Sequence, residues 1–222
     1  MKLSRMFIFD LLLVAGMLAF SGWAWQELPP NAQIPTRFDF EGAPIAYMGK
    51  AGGLLLLPLL TLLIPALDLI VLPKTEPNQI NFQRSQKANT AISIATMVFM
   101  AIVHVTIVWS AVEPTVNTSN IIVIALGMLT IIIGNYLTKI RRNYSFGFRT
   151  RWTLSSDLSW HKTHRWAGIL TVIHGLAFVV SGLLASATLT KIVLISFAVV
   201  SIIVLPVYSY FLWKYDVNRL AE

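Results

Sequence analysis

The sequence predicts an all-α membrane protein of six transmembrane helices. Both termini are expected on the cytoplasmic side, with a short extracytoplasmic strand-and-turn loop and an amphipathic cytoplasmic segment between helices 4 and 5. Three observations predict this. Apolar residues make up 56% of the 222 positions and charged residues 12%, where soluble domains carry about 25% charged residues. The charges gather between apolar runs, and runs of that length need a bilayer as solvent. The basic residues also favour alternate connections, as they do in membrane proteins of fixed orientation.

The first span is read over residues 6–25, after a basic lead holding Lys2 and Arg5. No small-residue cleavage site follows it, and Trp23 and Trp25 suit the interfacial belt of a retained helix. Residues 26–50 form a polar loop in which Pro29, Pro30, Pro35 and Pro44 forbid a long helix. Phe38 and Phe40 alternate with polar neighbours before Gly42, which reads as one short strand ending in a turn. The second span, 51–73, carries Pro58 and Pro65, so a kink is expected, and it also holds Asp68. A polar link, 74–87, leads to the third span at 88–112, which contains His104. Residues 113–120 follow, with an N-T-S glycosylation pattern at 117–119 that is too common to use. The fourth span is 121–137, the central loop 138–165, the fifth span 166–187 with His174, and the sixth 192–213.

Sidedness can then be counted. Segments 2–5, 74–87, 139–165 and 214–219 hold fourteen Lys and Arg residues, while the opposite side holds only Arg37, Lys50 and Lys191. That bias places both termini inside. The net charge of +7 is thereby accounted for, and no nucleic-acid partner is expected, because a groove-tracking basic face has no soluble domain to sit on. The chain has no cysteine, which excludes disulfides, thiolate catalysis and Cys-based metal sites.

The central loop has the densest chemistry. Trp152 to Asp157 looks like the approach to a helix, with Ser155 or Ser156 as cap and Asp157 in the first turn. Asp157, His161 and His164 are spaced to share one helix face. Zinc accepts such ligands, but a fourth is missing and the neighbours are cations, so solvated interfacial polar groups are the simpler reading. Trp152, Trp160 and Trp166 can lie at headgroup level while Arg149, Arg151, Lys162 and Arg165 reach lipid phosphates. A binding site for a peptide or anionic headgroup is the competing reading.

Within the spans, Asp68, His104 and His174 are the ionisable groups at real depth, where such groups are functional candidates. Asp68 and His174 are placed to pair across helices. His104 has no ionic partner in view. A proton relay and plain interhelical hydrogen bonds are both open. The chain has no phosphate-cradling glycine loop, G-x-S-x-G or H-E-x-x-H, so neither catalytic residues nor a cofactor are expected.

The residues of the central loop carry a family resemblance. N-Y-S-F-G-F-R-T-R-W-T-L at 143–154 and W-H-K-T-H-R-W-A-G at 160–168 resemble the signature of the SdpI/YfhL family. Gly147, Arg149, Thr150, Trp152, Thr153, Leu154, Trp160, Thr163, His164 and Arg165 fall on its characteristic positions. Leu28-Pro29, Ile34-Pro35, Phe38, Gly42 and Lys50 resemble the amino-terminal domain of unknown function often found ahead of it. Arg151 stands where the family usually has proline, and Arg37 where a histidine is common.

The resemblance implies an integral protein of the bacterial inner membrane that gives immunity to a membrane-active peptide toxin. In some relatives it also implies capture of a cytosolic repressor-type protein. The alternative left by the residues themselves is a small proton-coupled transporter using Asp68, His104 and His174. Two three-span regions are expected, 1–112 with its outer loop at 26–50, and 113–222 with the central loop.

Overall fold

A computed structural model describes residues 3–113, 115 and 118–219. Six of its helices are long and apolar enough to cross a membrane. They run Leu3–Glu27, Lys50–Thr75, Gln79–Val112, Thr118–Leu137, Asp157–Leu183 and Ala187–Lys214, the first to sixth spans below. Lys2 and Asn117 of the glycosylation pattern lie outside the described residues.

Two spans begin nine residues earlier than their apolar runs, at Gln79 and Asp157 against 88 and 166. Asn78 caps the third, its side chain accepting the Asn81 N–H at 3.1 Å, and the glutamines and basic residues that follow are good helix formers. The expected link at 74–87 is therefore mostly helix. Ser156 caps the fifth span by accepting the Ser159 N–H at 2.9 Å, so the central loop ends at its first turn.

The second and sixth spans widen into π-helical turns at Leu67–Val71 and Val200–Val204. A proline ring clashes with the carbonyl four residues back. For Pro73 and Pro206 those residues are Leu69 and Ile202, both inside the widened turns. Pro58 and Pro65, from which a kink is expected, lie inside the regular α-helical part at Lys50–Ala66, and the change of pitch comes after them.

Where one strand was expected, there are two. β1 (Gln33–Phe38) and β2 (Pro44–Gly49) pair antiparallel, with register shifts around Arg37. The turn is closed by Asp39, whose Oδ1 accepts the Ala43 N–H at 2.8 Å, and by Gly42 at φ +94°. Ile34 on β1 is fully buried among Ala24, Leu28, Leu54 and Val108. It lies so close to Gly53 that any side chain there would overlap it. Lys50 is buried as well. Its ammonium donates to the Leu28 carbonyl at 2.6 Å and lies 4.7 Å from the Trp25 ring centre.

The fourth and fifth spans pack along their length on glycines seven apart. Gly127 and Gly134 face Gly175 and Gly168, and a Cβ on any of these four would fall 2.7–2.8 Å from the opposing backbone. Without hydrocarbon burial to drive association, such close backbone approach is what holds membrane helices together. A second core of Ala88, Leu137, Ile140, Trp160, Ala167 and Leu205 closes the end of the bundle that carries the termini.

Candidate functional site

The central loop folds against the bundle instead of lying free of it. Asn143 starts it with an Asx turn, its Oδ1 accepting the N–H groups of Ser145 and Phe146 at 2.8 and 2.9 Å. Glu76, at the end of the second span, accepts the Tyr144 N–H at 2.9 Å and the Ser145 hydroxyl at 2.6 Å. Asn81 donates to the Arg142 carbonyl at 2.9 Å, and Ser85 accepts the Arg141 N–H at 2.8 Å. The loop is thus tied to the second and third spans as well as to the fourth and fifth.

Its centre is a buried pair of rings. Trp160 and His164 are 0% and 1% exposed and stack with centroids 4.0 Å apart. Trp160 donates its indole N–H to the Ile140 carbonyl at 2.9 Å. His164 Nδ1–H donates to the Trp160 carbonyl, and Nε2 accepts the Phe148 N–H, both at 2.9 Å. That pattern fixes the neutral tautomer with its proton on Nδ1. Gly147, at φ +106°, brings the loop backbone over this ring, where a Cβ would sit 2.6 Å from Nε2.

The threonines build the short helix Arg151–Ser155. Thr150 and Thr153 form a reciprocal capping box, and the Thr153 hydroxyl donates to the Phe148 carbonyl at 2.8 Å. Thr150 also meets the Ser209 hydroxyl at 3.1 Å, and Ser159 donates to the Ser209 carbonyl at 2.8 Å. Trp152, half-buried, packs edge-on against Tyr210 at 5.3 Å. Ser156 donates to Asp216 at 2.5 Å, which clasps the tail to the loop. This hydroxyl, together with the Asn218 N–H, holds the Asp216 carboxyl below its ordinary range.

Four cations of the segment face outward. Arg149, Arg151, Lys162 and Arg165 are exposed. Arg149 donates to the Tyr144 carbonyl at 2.5 Å, which directs its guanidinium along the loop. Arg142 pairs with Asp157 at 3.1 Å and donates to the Leu154 carbonyl.

Two expectations about this segment need correction. Trp160 is not at headgroup level but in the core, because its indole N–H finds a carbonyl partner there. Asp157, His161 and His164 do not share a face: the first two are exposed and His164 is turned inward. No group of three potential metal ligands forms among the described residues.

The intramembrane candidates are not brought together either. Asp68 accepts from Asn89 at 3.2 Å and from the Ser93 hydroxyl, and it has no bond to His174. His174 Nδ1–H donates to the Leu170 carbonyl at 2.7 Å, while Nε2 meets the Ser196 hydroxyl at 3.0 Å. His104, on the third span, faces the first. Ser21 gives its proton to the Leu54 carbonyl, so His104 Nε2–H donates to Ser21 at 3.0 Å and is no base toward it.

Sequence reasoning missed Glu76, Asn143, Ser209 and Asp216, all polar residues beside loop turns or inside apolar runs. Only Asn143 had a local signal, as an Asx-turn former two residues before a serine. At the opposite end of the bundle the hairpin roofs a cavity of about 390 Å³, rimmed by Arg37 and Asp39 and floored by apolar residues such as Ile107, Val123, Phe178 and Leu194.

No curated protein and no solved structure matches the chain. Residues 12–62, which span the hairpin, match a domain of unknown function (DUF1648). Residues 139–210, which hold nearly all of the central loop and its ring pair, match the SdpI/YfhL protein family.

Proposed function

We propose that this is an immunity-type protein of the bacterial plasma membrane. It protects its cell against a membrane-active peptide, with both termini and the central loop in the cytosol and the hairpin outside. The observation that carries the reading is the SdpI/YfhL match over 139–210. It coincides with a hydrogen-bonded loop that leaves Arg149, Arg151, Lys162 and Arg165 exposed and Trp152 half-buried. The hairpin cavity supports the outer half of the reading, since an apolar floor with a charged rim suits an amphipathic peptide. The fourteen-to-three distribution of Lys and Arg supports the orientation. The exposed arginines suit capture of an acidic cytosolic regulator, as the family resemblance implies.

The test is survival of a sensitive bacterial strain challenged with membrane-active killing peptides, with and without the protein. Protection is expected, and Arg149→Ala and Trp152→Ala are expected to lower it while the protein still inserts. If both variants protect like the wild type, the loop is only an anchor. If no peptide is resisted by protein confirmed in the membrane, the immunity reading falls.

A further inference from the structure

At the terminal end of the bundle, the third span, the fifth span and the chain just past the fourth form an open pocket of about 520 Å³ lined by Arg84, Thr138, Lys139, Ile140, Arg141 and His161. Three of these six side chains carry fixed positive charge, and no carboxylate lines the pocket. Such a site selects a compact anion, and phosphate oxygens fit it best. The pocket is also at the right height for a headgroup. Arg84 stands one helical turn before the apolar run that begins at Ala88, and Lys139 lies two residues past the end of the fourth span.

A second cavity, also of about 520 Å³, runs along the membrane face between the third and fourth spans. Ala91, Ala95 and Val98 line one wall, and Met128, Ile132 and Tyr136 the other. Arg84, Ala91, Ala95 and Val98 fall on one stripe of the third span. At about 1.5 Å per residue, the path from Arg84 to Val98 is roughly 20 Å, which brings an acyl chain to the bilayer mid-plane. A residue of each cavity touches the other: the Lys139 ammonium of the head pocket lies 4.5 Å from the centre of the Tyr136 ring, which lines the groove. A cationic head pocket therefore adjoins an apolar groove of acyl-chain length.

We propose that this composite cavity is a binding site for one anionic phospholipid, its phosphate held by Arg84, Lys139 and Arg141 and one acyl chain laid between the third and fourth spans. A free phosphate would use the head pocket alone. A zwitterionic lipid would use the groove but set its own cation against the three side chains. The site uses none of Arg149, Arg151 and Arg165 and does not depend on the immunity reading.

The test is native mass spectrometry of the purified full-length protein in neutral detergent, titrated with phosphatidylglycerol and with phosphatidylcholine. One phosphatidylglycerol is expected to be retained in preference to phosphatidylcholine. R84Q/R141Q should weaken that retention about tenfold or more, whereas R84K/R141K, which keeps both charges, should hold it. Ala95→Phe, which fills the groove, should weaken it as well. Equal retention of the two lipids, or retention unaltered in R84Q/R141Q, overturns the proposal. So does displacement by inorganic phosphate together with indifference to Ala95→Phe, which would assign the pocket to the free anion.

Discussion

Gly147 shows how a signature residue can act through its lack of a side chain. Its φ of +106° lies where L-residues are strained, and a Cβ would meet His164 Nε2 at 2.6 Å. Gly147→Ala therefore has to distort the turn and push the ring off the Phe148 N–H. A loss of about 1–3 kcal/mol is expected, measured as a lower Tm of the detergent-solubilised protein. His164→Phe keeps the stacking area but leaves the Phe148 N–H without an acceptor, with an expected loss of about 1–3 kcal/mol. The positions of these residues were legible as a family pattern, but their roles were not. A histidine in a basic, tryptophan-rich segment looks solvated, and only the returning backbone of residues 140–148 shows that Trp160 and His164 are enclosed.

Among the elements, the glycine contact between the fourth and fifth spans has the clearest consequence. Gly134→Val drives a branched side chain into the Gly168 carbonyl, 2.8 Å from the Cβ position. It should lower stability by about 1–3 kcal/mol or more. Gly16→Val, with no atom within 4 Å of the added Cβ, should leave stability nearly unchanged and serves as control. The seven-residue spacing was present in the sequence, yet glycines in apolar runs are common enough that only the facing partner gives the spacing meaning. The six spans themselves were legible because twenty apolar residues leave few alternatives. Their polar starts at Gln79 and Asp157 were not, since caps rather than hydropathy set them. The tail clasp adds a pH dependence. Asp216 has a lowered pKa in the folded protein, so it contributes stability above the ordinary carboxylate range. That contribution is lost as pH falls from the ordinary carboxylate range through the lowered folded value. Asp216→Ala should therefore lower Tm at neutral pH, and the gap to wild type should narrow in acid. A gap of constant size from pH 7 to pH 3 would show that the clasp is not titrating.

At the scale of the whole molecule, the two ends of the bundle differ in kind. The end carrying the termini is knitted by Glu76, Asn81, Ser85, Ser156 and Asp216, which tie loop, spans and tail into one cap. The other end is roofed by the hairpin, whose single long-range ion pair among the described residues joins Glu41 to Lys191 at 2.7 Å. Charge counting separates the two ends without any tertiary information, fourteen Lys and Arg against three, and the expected orientation rests on that count. The packing of each cap was beyond it, since hydrogen bonds over some sixty residues of separation leave no periodic trace. The proposed orientation can be tested directly because the chain has no cysteine. Tyr47 on β2 and Tyr144 in the central loop are 55% and 49% exposed, so a cysteine at either position is open to solvent. In intact cells a membrane-impermeant thiol reagent should label Tyr47→Cys and leave Tyr144→Cys unlabelled until the membrane is broken. The reverse pattern would turn the molecule over. It would also move the hairpin cavity to the cytosol, where an extracellular peptide could not reach it.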